Sequence, residues 1–311
     1  VRVLTGLMTV GNFNIVGAAG STFEVANGAT FEMRSSAGGG TGAFPSGFGT
    51  ITLGATSTVA YNQTGNTNPW PIVTTTYGHL IIGQNASTRN FEIANATTNV
   101  AGNLTVGDGS STPVMRGTGA ATLNVTGNVL INASANLDAS NITNLNVGGD
   151  WTDDGNFTEG SNTVTFNSPA ANVLQLVGGA VAETFNNLTL NTSAATDAVR
   201  MTNTITVLSN LVLTQGGLEL NGNTLIVSNS AVGAISRTSG YIKSENTSAP
   251  YGTLRWFINN TTGSHVYPFG VSSTQYIPFV LNVTVAGNRG VGTGYVPVST
   301  YATTATIPPV Q

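Results

Sequence analysis

The sequence predicts an all-β protein in which a parallel β-solenoid rod, resembling a β-helix, is followed by a smaller antiparallel β-sandwich-like module. Three observations predict this fold class. A short marker, two polar or glycine residues followed by an apolar one, recurs along most of the chain. Apolar residues around each marker alternate with a period of two, as they do in strands. Glycine or asparagine interrupts every segment that could otherwise form a helix.

The marker defines the length of the repeat. Its copies are GHL (78–80), GNL (102–104), GNV (127–129), GDW (149–151), NNL (186–188) and SNL (209–211). They recur roughly every 22–25 residues, except for one interval of about 37, and this spacing is typical of solenoid coils. We therefore predict repeats of about 22–26 residues over residues 1–230, each a coil of two or three short strands that pairs in parallel with the next coil.

Asparagines recur near equivalent corners of these coils, at Asn103, Asn128, Asn187 and Asn210. Asparagine tolerates the left-handed backbone of a turn, and stacked amides bond to one another, so ladders are expected there. An antiparallel sandwich of regular hairpins would instead need many Asn-Gly turns. The chain has two such pairs, at Asn27 and Asn221, and the solenoid is therefore favoured.

The marker stops near residue 230, where the composition changes. The segments TLRWFI, HVYPFG and YIPFVLNVTV are richer in aromatic residues and predict longer strands separated by Gly, Ser and Asn turns. We predict that residues 231–311 form the antiparallel β-sandwich-like module at the C-terminal end of the solenoid.

The composition excludes several function classes. Only 7% of the 311 residues are charged, the formal net charge is −4, and Lys243 is the single lysine. A nucleic-acid partner is not expected, because such proteins carry a basic stripe. Cysteine is absent, which excludes disulfides, thiolate metal sites and a cysteine nucleophile. No apolar run has the length of a membrane span, so membrane insertion is not expected.

The segment GGDWTDDGNF is the first candidate for a metal or catalytic site. Aligned on the marker, Trp151 takes the inward position that leucine or valine holds in other coils. Asp153 falls where other coils have an apolar residue, and an unpaired buried carboxylate is very costly. We therefore expect the strand to turn early, at Asp154. A polar turn is the favoured interpretation; the alternative is a structural calcium ion held by Asp150, Asp153 and Asp154, although their spacing does not match an EF-hand loop.

Trp70 is the candidate ligand-binding residue. It lies in the loop NTNPWPI, whose prolines stiffen the backbone, so an exposed indole could stack on a sugar ring; packing in the core is the competing interpretation. His79 takes the polar position of a marker, which predicts a hydrogen bond at a corner. His265 precedes a predicted strand, which predicts a surface position. No cofactor is expected, since no phosphate loop or nucleophile elbow occurs.

An enzyme on a β-helix that acts on polysaccharides would need two carboxylates at a set separation. Acids lie on other coils, for example at Glu92 and Asp138, but basic residues to accompany them are scarce. We therefore predict that the chain is not an enzyme and keep this activity as an alternative.

Several segments together resemble a known group of proteins. They are TYGHLIIG, VAGNLTVGDG, GGDWTDDGNFTEGSNTVTFNS, ETFNNLTLNTS, LVLTQGGLELNGNTLIVSN and GSHVYPFGVSSTQYIPFVLNVTVAG. They are similar to the repetitive β-solenoid ectodomains of large secreted Bacteroidota surface proteins, which are typically exported by the type IX secretion system. The resemblance spans most of the chain and implies a secreted, cell-surface location. It also implies a role like that of adhesins and surface-layer or filament components.

The segment VRVLTGLMTV is apolar and strand-like, with one charge, at Arg2. A strand edge of this kind either continues into further coils or pairs with another chain, and head-to-tail pairing propagates a filament. We therefore expect an extracellular structural protein, a subunit of a surface filament or stalk that assembles through β-strand edges. Its expected partners are copies of itself or neighbouring surface proteins. A glycan-binding adhesin is the first alternative, and the polysaccharide-acting enzyme is the second.

Overall fold

The computed structural model describes residues 1–34, 43–64, 69–83, 89–246, 250–286 and 294–301. These residues form strands and turns and contain no helix. The chain divides into two compact units, Val1–Asn162 (unit 1) and Thr163–Gln311 (unit 2). Both are built mostly of short parallel strands stacked as solenoid coils, and unit 2 also has an antiparallel region. The predicted fold class is therefore confirmed.

Unit 1 consists of short strands joined by turns. Its described strands are β1 (Arg2–Val3), β2 (Leu7–Val10), β3 (Thr22–Val25), β4 (Thr30–Met33), β5 (Thr50–Leu53), β6 (Thr58–Tyr61), β7 (Trp70–Ile72), β8 (Thr76–Tyr77), β9 (His79–Ile82), β10 (Asn90–Ile93), β11 (Thr97–Val100), β12 (Leu104–Val106), β13 (Val114–Gly117), β14 (Ala121–Val125), β15 (Val129–Ile131), β16 (Asn136–Asp138), β17 (Ile142–Val147), β18 (Trp151–Asp153) and β19 (Asn156–Thr158).

Strands of unit 1 pair with strands about one repeat away in sequence. Their orders are β1-β3-β5, β2-β4-β6-β9-β12-β15-β18, β7-β10-β13-β16-β19 and β8-β11-β14-β17. The marker residues Leu80, Leu104, Val129 and Trp151 stand in one file, each directly opposite the next across a parallel ladder. All four are buried. The repeat that the marker predicted is therefore the coil of the solenoid in this part of the chain.

Aromatic side chains fill the first coils of unit 1. Phe23 packs edge to face on Phe31 with ring centroids 5.0 Å apart, and Phe44 contacts both. The hydroxyls of Tyr61 and Tyr77 lie 2.8 Å apart, and that of Tyr77 donates to a backbone carbonyl. Because both buried hydroxyls have partners, these rings enter the core without leaving a polar group unsatisfied.

Unit 2 has fewer and, in places, longer strands. Those described are β20 (Thr163–Phe166), β21 (Leu174–Gly179), β22 (Glu183–Asn191), β23 (Ala198–Met201), β24 (Ile205–Gln215), β25 (Gly217–Glu219), β26 (Thr224–Val227), β27 (Ile235–Arg237), β28 (Tyr241–Lys243), β29 (Thr253–Phe257), β30 (Gly263–Tyr267), β31 (Gly270–Ser272), β32 (Gln275–Tyr276), β33 (Phe279–Val283) and β34 (Tyr295–Val298).

Parallel pairing in unit 2 continues well past residue 230. The orders are β20-β22-β24-β26-β29-β34, with β27 also beside β24, and β21-β23-β25-β28. Strand β29 pairs in parallel with β26 on one side and antiparallel with β34 on the other. Two antiparallel pairs follow, β30 with β33 and β31 with β32. The change of pairing therefore lies at Thr253–Phe257, on the predicted strand TLRWFI.

The antiparallel region of unit 2 packs around aromatic residues. Trp256 and Tyr267 lie 5.4 Å apart between ring centroids, and Phe269 and Phe279 both contact Tyr267. Trp256, Tyr267 and Phe269 are fully buried, whereas Phe279 is 41% exposed. The strand β33 that carries Phe279 is thus less covered than its partner β30.

Candidate functional site

The acidic segment forms a tight corner of unit 1. Strand β18 ends at Asp153 and β19 begins at Asn156, so the corner has only Asp154 and Gly155. A side chain at position 155 would collide with two backbone carbonyls of the preceding coil, which explains the glycine. The predicted turn is confirmed. The strand is not shortened, however, since β18 has three residues, like β12 and β15.

Asp153 is a buried carboxylate, which the sequence argument did not foresee. It stands opposite Ile131 in the parallel ladder and is 2% exposed. Its Oδ1 accepts a hydrogen bond of 2.8 Å from the backbone N–H of Gly155. Burial raises the pKa of Asp153 to about 6; the charge of Asp154 adds to the rise, and N–H groups of Gly155 and Phe157 offset part of it. The carboxyl group therefore accepts hydrogen bonds within the corner, while its burial disfavours its charged form.

The three aspartates do not converge on one point. Asp150 precedes β18 and Asp154 follows it, so their backbones are about 13 Å apart along an extended strand. Asp150 uses its backbone N–H to bond the side chain of Asn128. Across the residues with described positions, no three His, Asp or Glu side chains lie close enough to hold a metal ion. Calcium requires several oxygens around one centre, and the positions of Asp150, Asp153 and Asp154 do not form such a centre.

Trp70 lies in the core of unit 1. It begins β7, stands opposite Phe91 in the parallel ladder, and is 3% exposed. Strand alternation turns Pro71 outward and both Trp70 and Ile72 inward. The indole therefore has no open face on which a sugar ring could stack. Trp70 packs in the core, which was the competing interpretation of the sequence.

A ladder of side chains follows one corner of unit 1. His79 Nδ1 accepts from the backbone N–H of Asn103 at 2.9 Å, as the marker predicted for this histidine. Asn103 Oδ1 accepts from the N–H of Asn128, and Asn128 Oδ1 accepts from that of Asp150. A Cβ at Gly102 would come 2.5 Å from His79 Nδ1, so the marker needs its glycine. Each rung binds one coil to the next.

Amide-to-amide ladders occur as well. Asn210 Nδ2 donates to Asn187 Oδ1 at 2.9 Å in unit 2, as predicted. The sequence reasoning missed a second ladder in unit 1, in which Asn124 Nδ2 donates to Asn99 Oδ1 at 2.8 Å and Asn146 Nδ2 to Asn124 Oδ1 at 2.7 Å. The signal was present, because these asparagines also recur at the repeat interval.

His265 is buried, and the prediction of a surface position was wrong. It lies within β30, is 0% exposed, and packs edge to face on Trp256 with centroids 4.9 Å apart. Its Nε2 is 3.2 Å from the carbonyl oxygen of Ser230. The reason is tertiary, because the segment around Ser230 covers β30. The residues next to His265 in sequence give no indication of this contact.

Charged residues pair between coils, a feature that the sequence reasoning did not identify. Arg116 Nη2 is 2.6 Å from Glu92 Oε1, one repeat earlier. Glu219 lies between Arg200 and Lys243, at 2.7 and 3.0 Å. Burial acts to raise the pKa of Glu219, but hydrogen bonds and charge from Lys243 and Arg200 outweigh it and lower the pKa. Opposite charges spaced by one repeat were the available signal.

No protein-family model, curated protein or solved structure matches the chain. None of the described residues forms a helix of the length and hydropathy that crossing a bilayer requires.

Proposed function

We propose that the chain is an extracellular structural protein, a non-enzymatic subunit of a surface filament or stalk that assembles through β-strand edges. One observation carries this proposal: its charged and amide side chains are used to join successive coils. The ion pairs Arg116–Glu92, Arg200–Glu219 and Lys243–Glu219 and the asparagine ladders all run along the stacking direction. Within each unit, an arrangement of this kind favours a structural role over a reaction centre.

The assembling surface we propose is the edge formed by β1 and β2. Within the described residues, β1 pairs with β3 alone and β2 with β4 alone. Apolar side chains beside this edge are open to solvent: Leu4 is 52% exposed, Leu7 is 62% and Phe13 is 82%. An apolar strand edge is a template for a strand of another molecule, either a second copy or a neighbouring surface protein.

Electron microscopy of the purified chain tests this assembly. We expect filaments from the unaltered chain and their loss in the double variant Leu4→Lys/Leu7→Lys, because two charges would have to be buried at the new interface. The matched control is Leu174→Lys/Leu176→Lys, which alters two exposed leucines on the face of β21. Filaments that persist unchanged in the edge variant would overturn the proposed surface.

The extracellular location rests on the sequence resemblance to secreted surface proteins. Mild protease treatment of intact cells that produce the chain tests it. We expect the chain to be cleaved while a cytosolic marker protein stays intact; protection of the chain until the cells are lysed would contradict the proposal.

A glycan-binding adhesin is a second candidate, and two half-exposed tyrosines favour it. The Arg237 guanidinium lies 3.8 Å from the ring centroid of Tyr276, and that of Arg255 lies 4.6 Å from Tyr295. The two tyrosine residues are 36% and 40% exposed, so each is partly open to a sugar ring. A glycan array tests this candidate. Tyr276→Ala and Tyr295→Ala should each weaken glycan binding. Trp70→Phe, at a buried position, is the control and should leave glycan binding unchanged. An assay for released sugar separates a binder from an enzyme.

A further inference from the structure

Among the described strands, β33 has an open backbone edge. In the part of the chain that the structure describes, it pairs with β30 alone, in an antiparallel register that runs from Tyr267 opposite Phe279 to Gly263 opposite Val283. Alternate residues of an antiparallel strand direct their N–H and C=O groups to opposite sides. Half of the backbone groups of β33 therefore point away from β30, where another strand could pair with them.

The edge of β33 has none of the charges that usually protect such edges. No Asp, Glu, Lys or Arg occurs between Trp256 and Ala286. On one face of the β30–β33 pair, Val280 is 51% exposed and Val266, directly opposite, is 36% exposed. Exposed apolar surface of this kind marks interaction sites. Natural proteins otherwise blunt such edges with lysine, proline or a bulge. Pro278 lies next to this edge but precedes β33, so every residue of β33 keeps its backbone N–H.

We propose that β33 pairs antiparallel with β33 of a second copy of this chain, about a twofold axis at Leu281. The two molecules then share a four-stranded sheet with the order β30-β33-β33-β30. This inference rests on the proposed assembly through strand edges and deepens it by naming a second surface and its partner.

The sequence of β33 is complementary to itself in this register. Pairing about Leu281 places Phe279 opposite Val283 of the other copy, and Val280 opposite Asn282. Directly opposite residues share a face, so Phe279, Leu281 and Val283 form one apolar row across both copies. Like charges that meet across a twofold axis would oppose pairing, and β33 has no charged residue.

Two double variants on the exposed face test the register. Val280→Lys/Asn282→Lys places lysine opposite lysine, whereas Val280→Glu/Asn282→Lys places glutamate opposite lysine. These changes are made in the Leu4→Lys/Leu7→Lys chain, whose β1–β2 edge is blocked, so that filaments do not mask a dimer. By sedimentation velocity we expect that chain, without changes in β33, to dimerise. The lysine–lysine variant should dimerise at least about tenfold more weakly, and the glutamate–lysine variant should retain the dimer. Both positions are exposed, so neither change disturbs the core.

The matched control is Thr163→Lys/Thr165→Lys, with the same spacing on the outer face of β20, and it should leave dimerisation unchanged. A second measurement uses the absence of cysteine from the chain. Leu281→Cys should form a disulfide-linked dimer under mild oxidation, because opposite Cβ atoms approach to about 4.5–5.5 Å, and Thr165→Cys should not.

A chain that stays monomeric, a lysine–lysine variant that dimerises normally, or a glutamate–lysine variant that does not dimerise would overturn the pairing of β33. If β33 pairing fails these tests while the otherwise unaltered chain still forms filaments, this inference is removed and the proposed function stands. If the dimer responds to the β33 variants but the unaltered chain forms no filaments, this inference stands and the proposed filament is contradicted.

Discussion

Trp151 and Phe157 pack edge to face across one corner of unit 1, with ring centroids 4.9 Å apart and ring planes at 84°. Their strands, β18 and β19, are separated by two residues, whereas four residues separate the equivalent β15 and β16. The two rings fill the interior of a coil that is shorter than its neighbour. We therefore expect the aromatic pair and the tight corner to depend on each other.

Trp151→Ala should lower the free energy of unfolding by about 3–5 kcal/mol, because it leaves a cavity in a close-packed coil. Trp151→Phe should lower it by less, since a ring remains against Phe157. Chemical denaturation measures both, and Thr152→Ala on the outer face serves as the control. A loss from Trp151→Ala no larger than that of the control would show that the corner does not need the pair.

Protonation of Asp153 should make the protein more stable in mild acid than it would be with Asp153 charged. Its folded pKa of about 6 lies above the unfolded value of about 3.9, so the folded state binds the proton more tightly. The stabilisation therefore appears as pH falls from 7 towards 4 and amounts to at most about 3 kcal/mol. Asp153→Asn should be more stable than the unaltered chain at pH 7 and should lose that advantage near pH 4.

Thermal unfolding at a series of pH values measures this difference between the two proteins. Other carboxylates, such as Glu219, are the same in both proteins, so their effects cancel in the comparison. The pKa of Glu219 is lowered in the folded protein, so its contribution to the stability of the fold is lost in acid. Parallel stability curves for the two proteins between pH 4 and 7 would contradict the assignment to Asp153.

Calcium and chelators should leave the melting temperature unchanged within about 1 °C. Calcium binding worth 1 kcal/mol would already raise it by about 2–4 °C in a unit of the size of unit 1. Asp153 is engaged with backbone N–H groups, and Asp150 and Asp154 lie at opposite ends of β18. A calcium-dependent rise that Asp150→Asn abolishes would establish the metal site that the sequence left as an alternative.

The amide ladder should contribute measurably to stability. Asn124→Ala removes a donor to Asn99 and an acceptor for Asn146, and we expect a loss of about 1–3 kcal/mol in the free energy of unfolding. Thr122→Ala, two residues earlier on the same face of β14, is the control. Equal losses in the two variants would show that the ladder adds nothing beyond strand propensity.

The fold could be predicted from sequence because the repeat and the period-two alternation are local signals. They placed Trp151 in the file of Leu104 and Val129, where it stands. The burial of Asp153 could not be predicted, because its donors become available only when the corner has closed. His265 was misplaced for the same kind of reason, since the segment that covers it is more than thirty residues away in sequence.

The corner ladder from His79 to Asp150 has a consequence for how such a chain can change length. Each of its side chains accepts the amide of the following coil, and that coil then offers an equivalent acceptor to the one after it. The coils of Asn103 and Asn128 are therefore interchangeable at this corner. Duplicating or removing one of them would leave the same kind of bond between the coils that then become neighbours, so evolution or an engineer can adjust this part of the molecule in whole-coil steps.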